Sequence, residues 1–218
     1  MSDDLRAAVA ALDNSNTARI VRFLTGTAGE LHGREFPVPL RGEVWVCEPE
    51  RSALVLGSTQ DPALVSADAA RRQGIEVAKR RSGGGAVLVE PDSGLWVDVF
   101  VAPGDPLWSD DIGVAAAAVG RRWSSALNSL GVPAEVYEGP MRGGRWGKQV
   151  CFAGLGPGEV VAPDTGAKLV GVSQRRTRAG ARVQCHGIFQ WDPAAFIELF
   201  AEGAVSYTHL TLPTICSV

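Results

Sequence analysis

The stretch of sequence that decides the fold is Arg80-Arg81-Ser82-Gly83-Gly84-Gly85-Ala86-Val87. Three consecutive glycines between two strand-like segments let backbone N–H groups approach a ligand without obstruction by a Cβ atom. The arginines before them favour an anionic ligand such as a carboxylate or an acyl phosphate. The spacing matches neither the Walker pattern nor the dinucleotide-binding fingerprint. A hairpin turn with solvated arginines is the alternative interpretation of this glycine loop.

The segments on both sides of the glycine loop predict the rest of the fold. Alternating and β-branched residues predict strands over residues 43–47, 53–57, 76–79, 87–89, 96–101, 150–152, 168–174 and 181–189. Of these, 87–89 and 96–101 are predicted to pair with each other. Apolar spacing of three and four residues, with capping residues, predicts helices over residues 16–24, 66–72, 111–130 and 194–200. We therefore expect an α+β fold with a mixed, largely antiparallel sheet flanked by helices, in a single domain over residues 1–204.

The composition excludes several classes of protein. A net charge of -3 argues against a nucleic-acid binder that depends on phosphate contacts. No apolar run is long enough to span a bilayer, and the acidic start lacks the basic region of a signal peptide, so we expect a cytoplasmic protein with no membrane partner. The four cysteines show no metal-type spacing, so we expect reduced thiols and no metal site.

The last residues resemble translated DNA adapter. Residues 206–214 back-translate to the adapter that transposase-based sequencing libraries carry, read in frame. We therefore interpret residues 205–218 as a sequencing-adapter artefact and give no functional weight to His209 or Cys216. A genuine β-rich tail is the alternative.

A second informative segment is Gly166-Ala167-Lys168-Leu169-Val170-Gly171-Val172-Ser173-Gln174-Arg175-Arg176. Taken alone, it predicts a turn, a lysine at the start of a strand, and a strand that ends in cations. A lysine in such a place is usually a solvated surface residue.

Together the two segments resemble the lipoate–protein ligase and octanoyltransferase superfamily, whose members place a short acyl chain on the lysine of a lipoyl domain. The family's loop reads Arg-Arg-x-Ser-Gly-Gly-Gly-Ala-Val, and this chain lacks the intervening residue. Its lysine strand reads Gly-x-Lys-x-x-Gly. The resemblance implies a biotin/lipoate protein ligase-like fold, an acyl pocket lined by the glycine loop, and a catalytic Lys168 beside Gly171. In the family this lysine holds the acyl carbonyl or the phosphate of the activated acid.

The resemblance leaves two mechanisms open. The ligases use ATP and magnesium, and their pattern includes an Asn-Asp pair that this chain lacks before Lys168. Cys151-Phe152, followed by Pro157-Gly158-Glu159, is instead similar to the cysteine-type octanoyltransferases, which take octanoate from acyl carrier protein as a thioester. Cys151 is then a candidate catalytic nucleophile, with Lys148 and Lys168 as nearby cations. The alternative is that Cys151 is a small buried apolar residue.

His186-Gly187 is the last candidate part of the site. The family carries a histidine beside a glycine at this point, where it closes the pocket near the acyl chain. Adjacent residues of a strand point to opposite faces, so Cys185 and His186 are not expected to face the site together. A packed, satisfied histidine is the alternative. A cluster of Arg175, Arg176, Arg178 and Arg182 is a candidate surface for an acidic partner, or a solvated hairpin tip.

The resemblance also implies the partners. The expected acceptor is the lipoyl domain of a 2-oxoacid dehydrogenase or the glycine cleavage H protein, with acyl carrier protein as a possible donor. No tightly bound cofactor is expected, although a ligase would need ATP and magnesium. A non-catalytic acyl-binding member of the fold and a biotin–protein ligase-like enzyme are the remaining alternatives.

Overall fold

The computed structural model describes residues 19–190 and 192–205. In this part of the chain there are ten strands: β1 Ile20–Gly26, β2 Glu43–Pro49, β3 Ala53–Leu56, β4 Glu76–Lys79, β5 Val87–Val89, β6 Gly94–Val101, β7 Glu135–Val136, β8 Val160–Val161, β9 Lys168–Thr177 and β10 Gly180–Ile188. The α-helices are α1 Ala28–Gly33, α2 Ala67–Arg72, α3 Ile112–Ser129 and α4 Pro193–Glu198. None of these helices is long and apolar enough to cross a membrane.

The strands form two sheets. The larger has the order β1-β2-β6-β10-β9-β8-β7, and the smaller has the order β4-β3-β5. The β1–β2 and β3–β4 pairs are parallel, and the others are antiparallel. The predicted α+β class with a mixed, largely antiparallel sheet is confirmed.

Alternating side chains hold the layers together. In β6, Val97 and Val99 pack in the core beneath α3, whereas Trp96 and Phe100 pack between the two sheets. In β3, Val55 faces the space between the sheets, whereas its neighbours contribute to a third core with α4. This is the two-residue period of a strand buried on both faces. The layers are therefore α3, large sheet, small sheet and α4, and a space between the sheets is available for a site.

Several predicted elements are confirmed. Helix α2 begins after Ser66, whose side chain accepts a hydrogen bond from the backbone N–H of Ala69, as expected of an N-cap. Helix α3 begins after Asp111, which caps Val114 in the same way. Helix α4 begins with Pro193 in its first turn.

Two predicted elements and one predicted strand pairing are wrong. Residues 20–24 are not helical, because the segment pairs in parallel with β2 as the edge strand β1; residues 16–18 lie outside the described residues. Strands β5 and β6 do not pair with each other, because β5 pairs with β3 in the small sheet and β6 with β2 and β10 in the large one. Residues 150–152 do not form a strand, because the chain turns into a 3₁₀ helix over Cys151–Ala153 after one bridge to Ala86.

The interpretation of the C-terminal residues as adapter concerns mostly residues outside the described ones. Val205 is described and packs in the core with α4. Residues 206–218, with His209 and Cys216, are not described.

Candidate active site

Arg80 holds the glycine loop from inside the protein. Its side chain is buried, and its guanidinium donates hydrogen bonds to the carbonyl oxygens of Val55 at 3.2 Å, Gly83 at 2.9 Å and Gly85 at 2.8 Å. Burial lowers the pKa of Arg80, although an arginine stays charged in a protein. These contacts join the loop to strand β3, so Arg80 fixes the path of the loop backbone.

The glycines allow the loop to approach its neighbours closely. A Cβ atom on Gly57 would lie 2.0 Å from the carbonyl oxygen of Gly84. A Cβ atom on Gly85 would lie 2.6 Å from the backbone nitrogen of Cys151. Neither position has room for a side chain, so the loop packs backbone against backbone.

The end of the loop positions Cys151. The backbone N–H of Ala86 donates to the carbonyl oxygen of Gln149 at 2.7 Å, and the N–H of Cys151 donates to the carbonyl of Ala86 at 2.9 Å. The thiol is partly buried at the start of the 3₁₀ helix, and a Cβ atom on Gly171 would lie 3.7 Å from its Sγ atom. The glycine loop, Cys151 and strand β9 therefore meet at one place.

Lys168 is buried beside Cys151. Its Nζ atom donates to the carbonyl oxygen of Cys151 at 2.6 Å and lies 2.9 Å from both carboxylate oxygens of Glu159. The carboxylate also accepts hydrogen bonds from the N–H groups of Gly156 at 2.7 Å and Val172 at 3.4 Å. An ammonium has three N–H donors. Glu159 and the Cys151 carbonyl accept hydrogen bonds from this group, and the ring centroid of Phe152 lies 5.2 Å from Nζ.

Two cavities meet at Cys151. The first is an apolar cavity of about 40 Å³ between the sheets, and the second is a cleft of about 260 Å³ that opens beside the glycine loop. Cys151, Val172 and Ser173 line both. The apolar cavity is smaller than the roughly 150 Å³ that holds a benzene ring, so an eight-carbon chain that enters it would extend past Cys151 into the cleft.

A polar network borders the apolar cavity. Ser82 donates to the side-chain oxygen of Gln184 at 3.0 Å, and its Oγ atom lies 3.1 Å from that of Ser173. The Nε2 atom of Gln184 lies 3.0 Å from Nδ1 of His32, whose ring stacks on Trp96. Burial lowers the pKa of His32 well below its usual value, so Gln184 donates to a neutral imidazole.

His186 borders the same cavity and is also neutral. Burial, with a smaller effect of the Arg80 charge, lowers the pKa of His186 to about 4. Its ring packs edge-on against Phe152 with the ring centroids 6.4 Å apart, and its Nδ1 atom has no hydrogen-bond partner among the described residues. Its neighbour Cys185 packs in the core under α3, as the alternation of a strand predicts, and it also contributes to the lining of this cavity.

The other two cysteines of the described chain are buried away from the cleft. Burial raises the pKa of the thiols of Cys47 and Cys185. A thiol with a raised pKa is a poor nucleophile near neutral pH. Cys151 is therefore the described cysteine that is best placed for reaction.

Comparison with known proteins identifies the family. The family model described as the lipoyl protein ligase A/B catalytic domain matches residues 40–209. The chain belongs to this family. The assignment places it among lipoylation-related enzymes that act as ligases or transferases. No curated protein sequence gives a significant match.

Solved structures of lipoate–protein ligases share the fold. Lipoate–protein ligase A bound with ATP is 16% identical, with 90% of this chain and 76% of that chain covered and a TM-score of 0.66. A putative lipoate–protein ligase from Thermoplasma acidophilum with bound lipoic acid is 16% identical, with coverages of 91% and 76% and a TM-score of 0.61. A bipartite lipoate–protein ligase from the same organism, studied with its E2 lipoyl domain, is 15% identical, with coverages of 86% and 68% and a TM-score of 0.59.

The predicted site residues of this lipoyl ligase-family chain fall into two groups. Those that line a cavity are Arg80, Gly83, Gly84, Gly85, Cys151, Lys168, Gly171 and His186. Those that do not are Arg81, Ser82, Ala86 and Gly187. Ser82 and Ala86 contact lining residues through the hydrogen bonds described above, whereas Arg81 is exposed and pairs with Glu35. Among the described residues, no group of three or more His, Cys, Asp or Glu side chains is arranged to hold a metal ion.

The predicted arginine cluster does not form as a unit. Arg175 and Arg176 lie on β9, but Arg182 is buried in β10, where it pairs with Asp98 at 2.5 Å and donates to the carbonyl of Leu31. The prediction that Arg182 contributes to a basic surface is wrong, because the buried carboxylate draws its guanidinium into the protein.

Sequence reasoning missed four residues of the site: His32, Glu159, Ser173 and Gln184. Glu159 was visible only as part of a short Cys-Phe and Pro-Gly-Glu resemblance, and no local pattern assigns it to Lys168. His32 lies in α1, far from the other site residues in sequence. Only tertiary structure brings these side chains to the cavity.

Proposed function

We propose that this chain is a cysteine-dependent acyltransferase of protein lipoylation. It takes a lipoyl or octanoyl group from a thioester donor and transfers it to the lysine of a lipoyl domain. The observation that carries the proposal is the position of Cys151, where the apolar cavity, the open cleft and the buried ammonium of Lys168 meet.

The first step forms an acyl-enzyme. The thiolate of Cys151 attacks the donor's thioester carbonyl, the new carbon–sulfur bond forms, and the donor thiol leaves and takes up a proton. The ammonium of Lys168 stabilises the negative charge that develops on the carbonyl oxygen. Loss of a donor of this kind typically slows a reaction about 10²–10³-fold.

The second step releases the product. The neutral amine of the acceptor lysine attacks the Cys151 thioester and forms an amide, the amine loses a proton, and the thiolate of Cys151 leaves. The open cleft beside the glycine loop gives an extended lysine side chain access to the carbonyl carbon. The acceptor is a lipoyl domain of a 2-oxoacid dehydrogenase or the glycine cleavage H protein, and acyl carrier protein is the donor.

An ATP-dependent ligase is the second candidate, because a protein of the same fold has been solved with ATP. In that mechanism the acyl group is activated as an adenylate, with ATP and magnesium supplied from solution. Lys168 would then hold the acyl carbonyl or the phosphate, and Cys151 would only line the pocket.

One experiment separates the two candidates. The protein is incubated with an apo lipoyl domain and either octanoyl–acyl carrier protein without ATP, or octanoate or lipoate with ATP and magnesium. Intact-mass spectrometry of both proteins detects acylation of the acceptor and of the enzyme. We expect acylation from the carrier protein without ATP, with one acyl group trapped on the enzyme when the acceptor is omitted.

The variants give the controls. Cys151→Ala and Lys168→Ala should both lose transfer, whereas Cys47→Ala, which changes a buried cysteine that lines neither the apolar cavity nor the cleft, should keep it. Acylation only with ATP that survives Cys151→Ala would establish a ligase. Acylation in neither tube by a folded protein would favour a non-catalytic acyl-binding member of the family.

A further inference from the structure

A cationic loop borders the cleft that contains Lys168. The loop comprises residues 141–149 and carries Arg142, Arg145 and Lys148 with no acidic residue, in a chain whose net charge is -3. All three cations are exposed. The loop is thus locally positive beside the proposed reaction centre, in a chain that is negative overall.

The loop turns its backbone toward the cleft. Met141, Gly143 and Gly147 line the same cleft as Lys168. A Cβ atom on Gly147 would lie 1.7 Å from the carbonyl oxygen of Gly143, and Gly144 has a φ of 56°, so the tight turn depends on glycine at these positions. A glycine-rich turn with flanking cations is an arrangement that binds phosphate oxygens.

The charges of the loop are available to a ligand. Arg142 lies over the ring of Tyr137 at 5.1 Å and Arg145 over that of Trp146 at 4.9 Å. Neither forms an ion pair with a carboxylate in the described part of the chain. The two nearby acids are already paired, Glu138 with Arg121 and Glu159 with Lys168.

We propose that the cationic loop binds a phosphate group of the acyl donor. The inference rests on the proposed function, because it assumes that an activated acyl group reaches Cys151. Lys148 precedes Cys151 by three residues, a span of about 11 Å at most. A phosphate of the donor can therefore contact the loop while the acyl carbonyl lies at Cys151. An acyl-phosphopantetheine thioester supplies a phosphate that is separated from the acyl carbonyl by the pantetheine arm. In an acyl adenylate the phosphate is bonded directly to the acyl group, so the adenylate is the contrasting donor.

The experiment compares donors that differ in the phosphate. Octanoyl-4′-phosphopantetheine and octanoyl-pantetheine differ only in that group, and octanoyl adenylate provides the second source. Transfer to an apo lipoyl domain is measured for each donor. The variant Arg142→Ala/Arg145→Ala/Lys148→Ala is compared with the unchanged protein. We expect the KM for octanoyl-4′-phosphopantetheine to be about tenfold or more below the KM for octanoyl-pantetheine in the unchanged protein. The loop variant should have similar KM values for the two donors.

A matched control removes three other exposed cations. Arg51→Ala/Arg71→Ala/Arg72→Ala changes the net charge by the same amount at positions that line neither cavity. This variant should keep the preference for the phosphate. The control variant should also turn over octanoyl-pantetheine at the kcat of the unchanged protein. The loop variant should unfold at the same temperature as the control variant, which shows that it is folded.

A binding measurement separates this inference from the proposed function. Calorimetric titration with 4′-phosphopantetheine and with AMP requires no catalysis, and identifies which donor class the loop accepts. Binding of either that is lost in the loop variant, without any transfer, would support the loop site and refute the proposed function. Two results would overturn the proposed phosphate site. One is acyl transfer with no preference for the phosphorylated donor, and the other is a loop variant that raises only the KM for the acceptor domain.

Discussion

The buried ion pair between Lys168 and Glu159 leads to the most detailed prediction. Both side chains are almost inaccessible, with 4% and 8% of their side-chain surface exposed. Glu159→Gln keeps the shape of the side chain and one acceptor oxygen, but it removes the charge that balances the ammonium. The variant therefore leaves a buried positive charge without a counter-ion.

The magnitude follows from the contacts. Breaking a buried ion pair by removing one partner costs about 3–5 kcal/mol. The amide oxygen retains a hydrogen bond, which contributes about 1 kcal/mol. We therefore expect Glu159→Gln to lower the free energy of unfolding by about 2–4 kcal/mol. For a chain of this size the corresponding fall in Tm is roughly 5–15 °C.

A double-mutant cycle tests the reasoning. Urea unfolding followed by tryptophan fluorescence gives the free energy of unfolding for Glu159→Gln, Lys168→Met and the double variant. Each single change leaves a buried group without its partner. The sum of the two single losses in unfolding free energy should therefore exceed the loss of the double variant by about 2 kcal/mol. Strictly additive losses would show that the two side chains do not interact in the folded protein and would refute the ion pair.

The same variant tests the role of the pair in transfer. Glu159 and the Cys151 carbonyl fix the direction of the Lys168 ammonium, and a displacement of about 1 Å in an active site can reduce the rate about 10²-fold. We expect Glu159→Gln to lower kcat more than it raises KM, at a temperature where the variant is fully folded. An unchanged kcat would restrict Glu159 to a structural role.

Three further predictions concern the loop and the cavity. Arg80→Met should lower the free energy of unfolding by about 3 kcal/mol, because three buried carbonyl oxygens lose a charged donor. Arg81→Met removes only an exposed ion pair and should change this free energy by less than about 1 kcal/mol in the same urea assay. Gly85→Ala should reduce acyl transfer strongly, because its Cβ would meet backbone atoms at 2.6 Å, whereas Gly83→Ala has free space and should retain most of the rate; equal losses would contradict the packing. The folded-state pKa of His186, about 4, lies below the usual 6.5, so the unfolded chain binds more protons than the folded one between these values. The free energy of unfolding should therefore fall as the pH falls from about 6.5 to 4, and His186→Phe should reduce this loss. If urea unfolding gave the same pH profile for the variant and the unchanged protein, the result would count against a neutral His186.

The sequence predicted the parts of the fold that depend on local pattern. Helix α3 has apolar residues every three or four positions, a capping Asp111 and a glycine after its end, so its bounds were predicted to within a residue or two. Strands β2, β3, β4, β9 and β10 have β-branched or alternating residues and were placed correctly. The family resemblance, now shown, supplied the fold in which they are assembled.

Pairing and edge position were not predictable in the same way. Ile20, Phe23 and Leu24 are spaced for a helix face, yet the segment forms β1, because parallel pairing with β2 satisfies its backbone and overrides the pattern. Likewise, β5 and β6 lie in different sheets because of long-range contacts that the residues of neither strand predict. Local periodicity cannot distinguish these outcomes.

The site itself illustrates the limit, because its geometry depends on one contact between distant segments. The glycine loop and Cys151 were each selected from the sequence, but nothing in either segment places them together. A single parallel bridge between Ala86 and Val150 does so, and the backbone hydrogen bonds on both sides of it bring Cys151 to the end of the loop. The carbonyl oxygen of Cys151 then accepts a hydrogen bond from the ammonium of Lys168, whose charge is balanced by Glu159. Each of these contacts satisfies a buried polar group, so the position of Cys151 depends on all of them together.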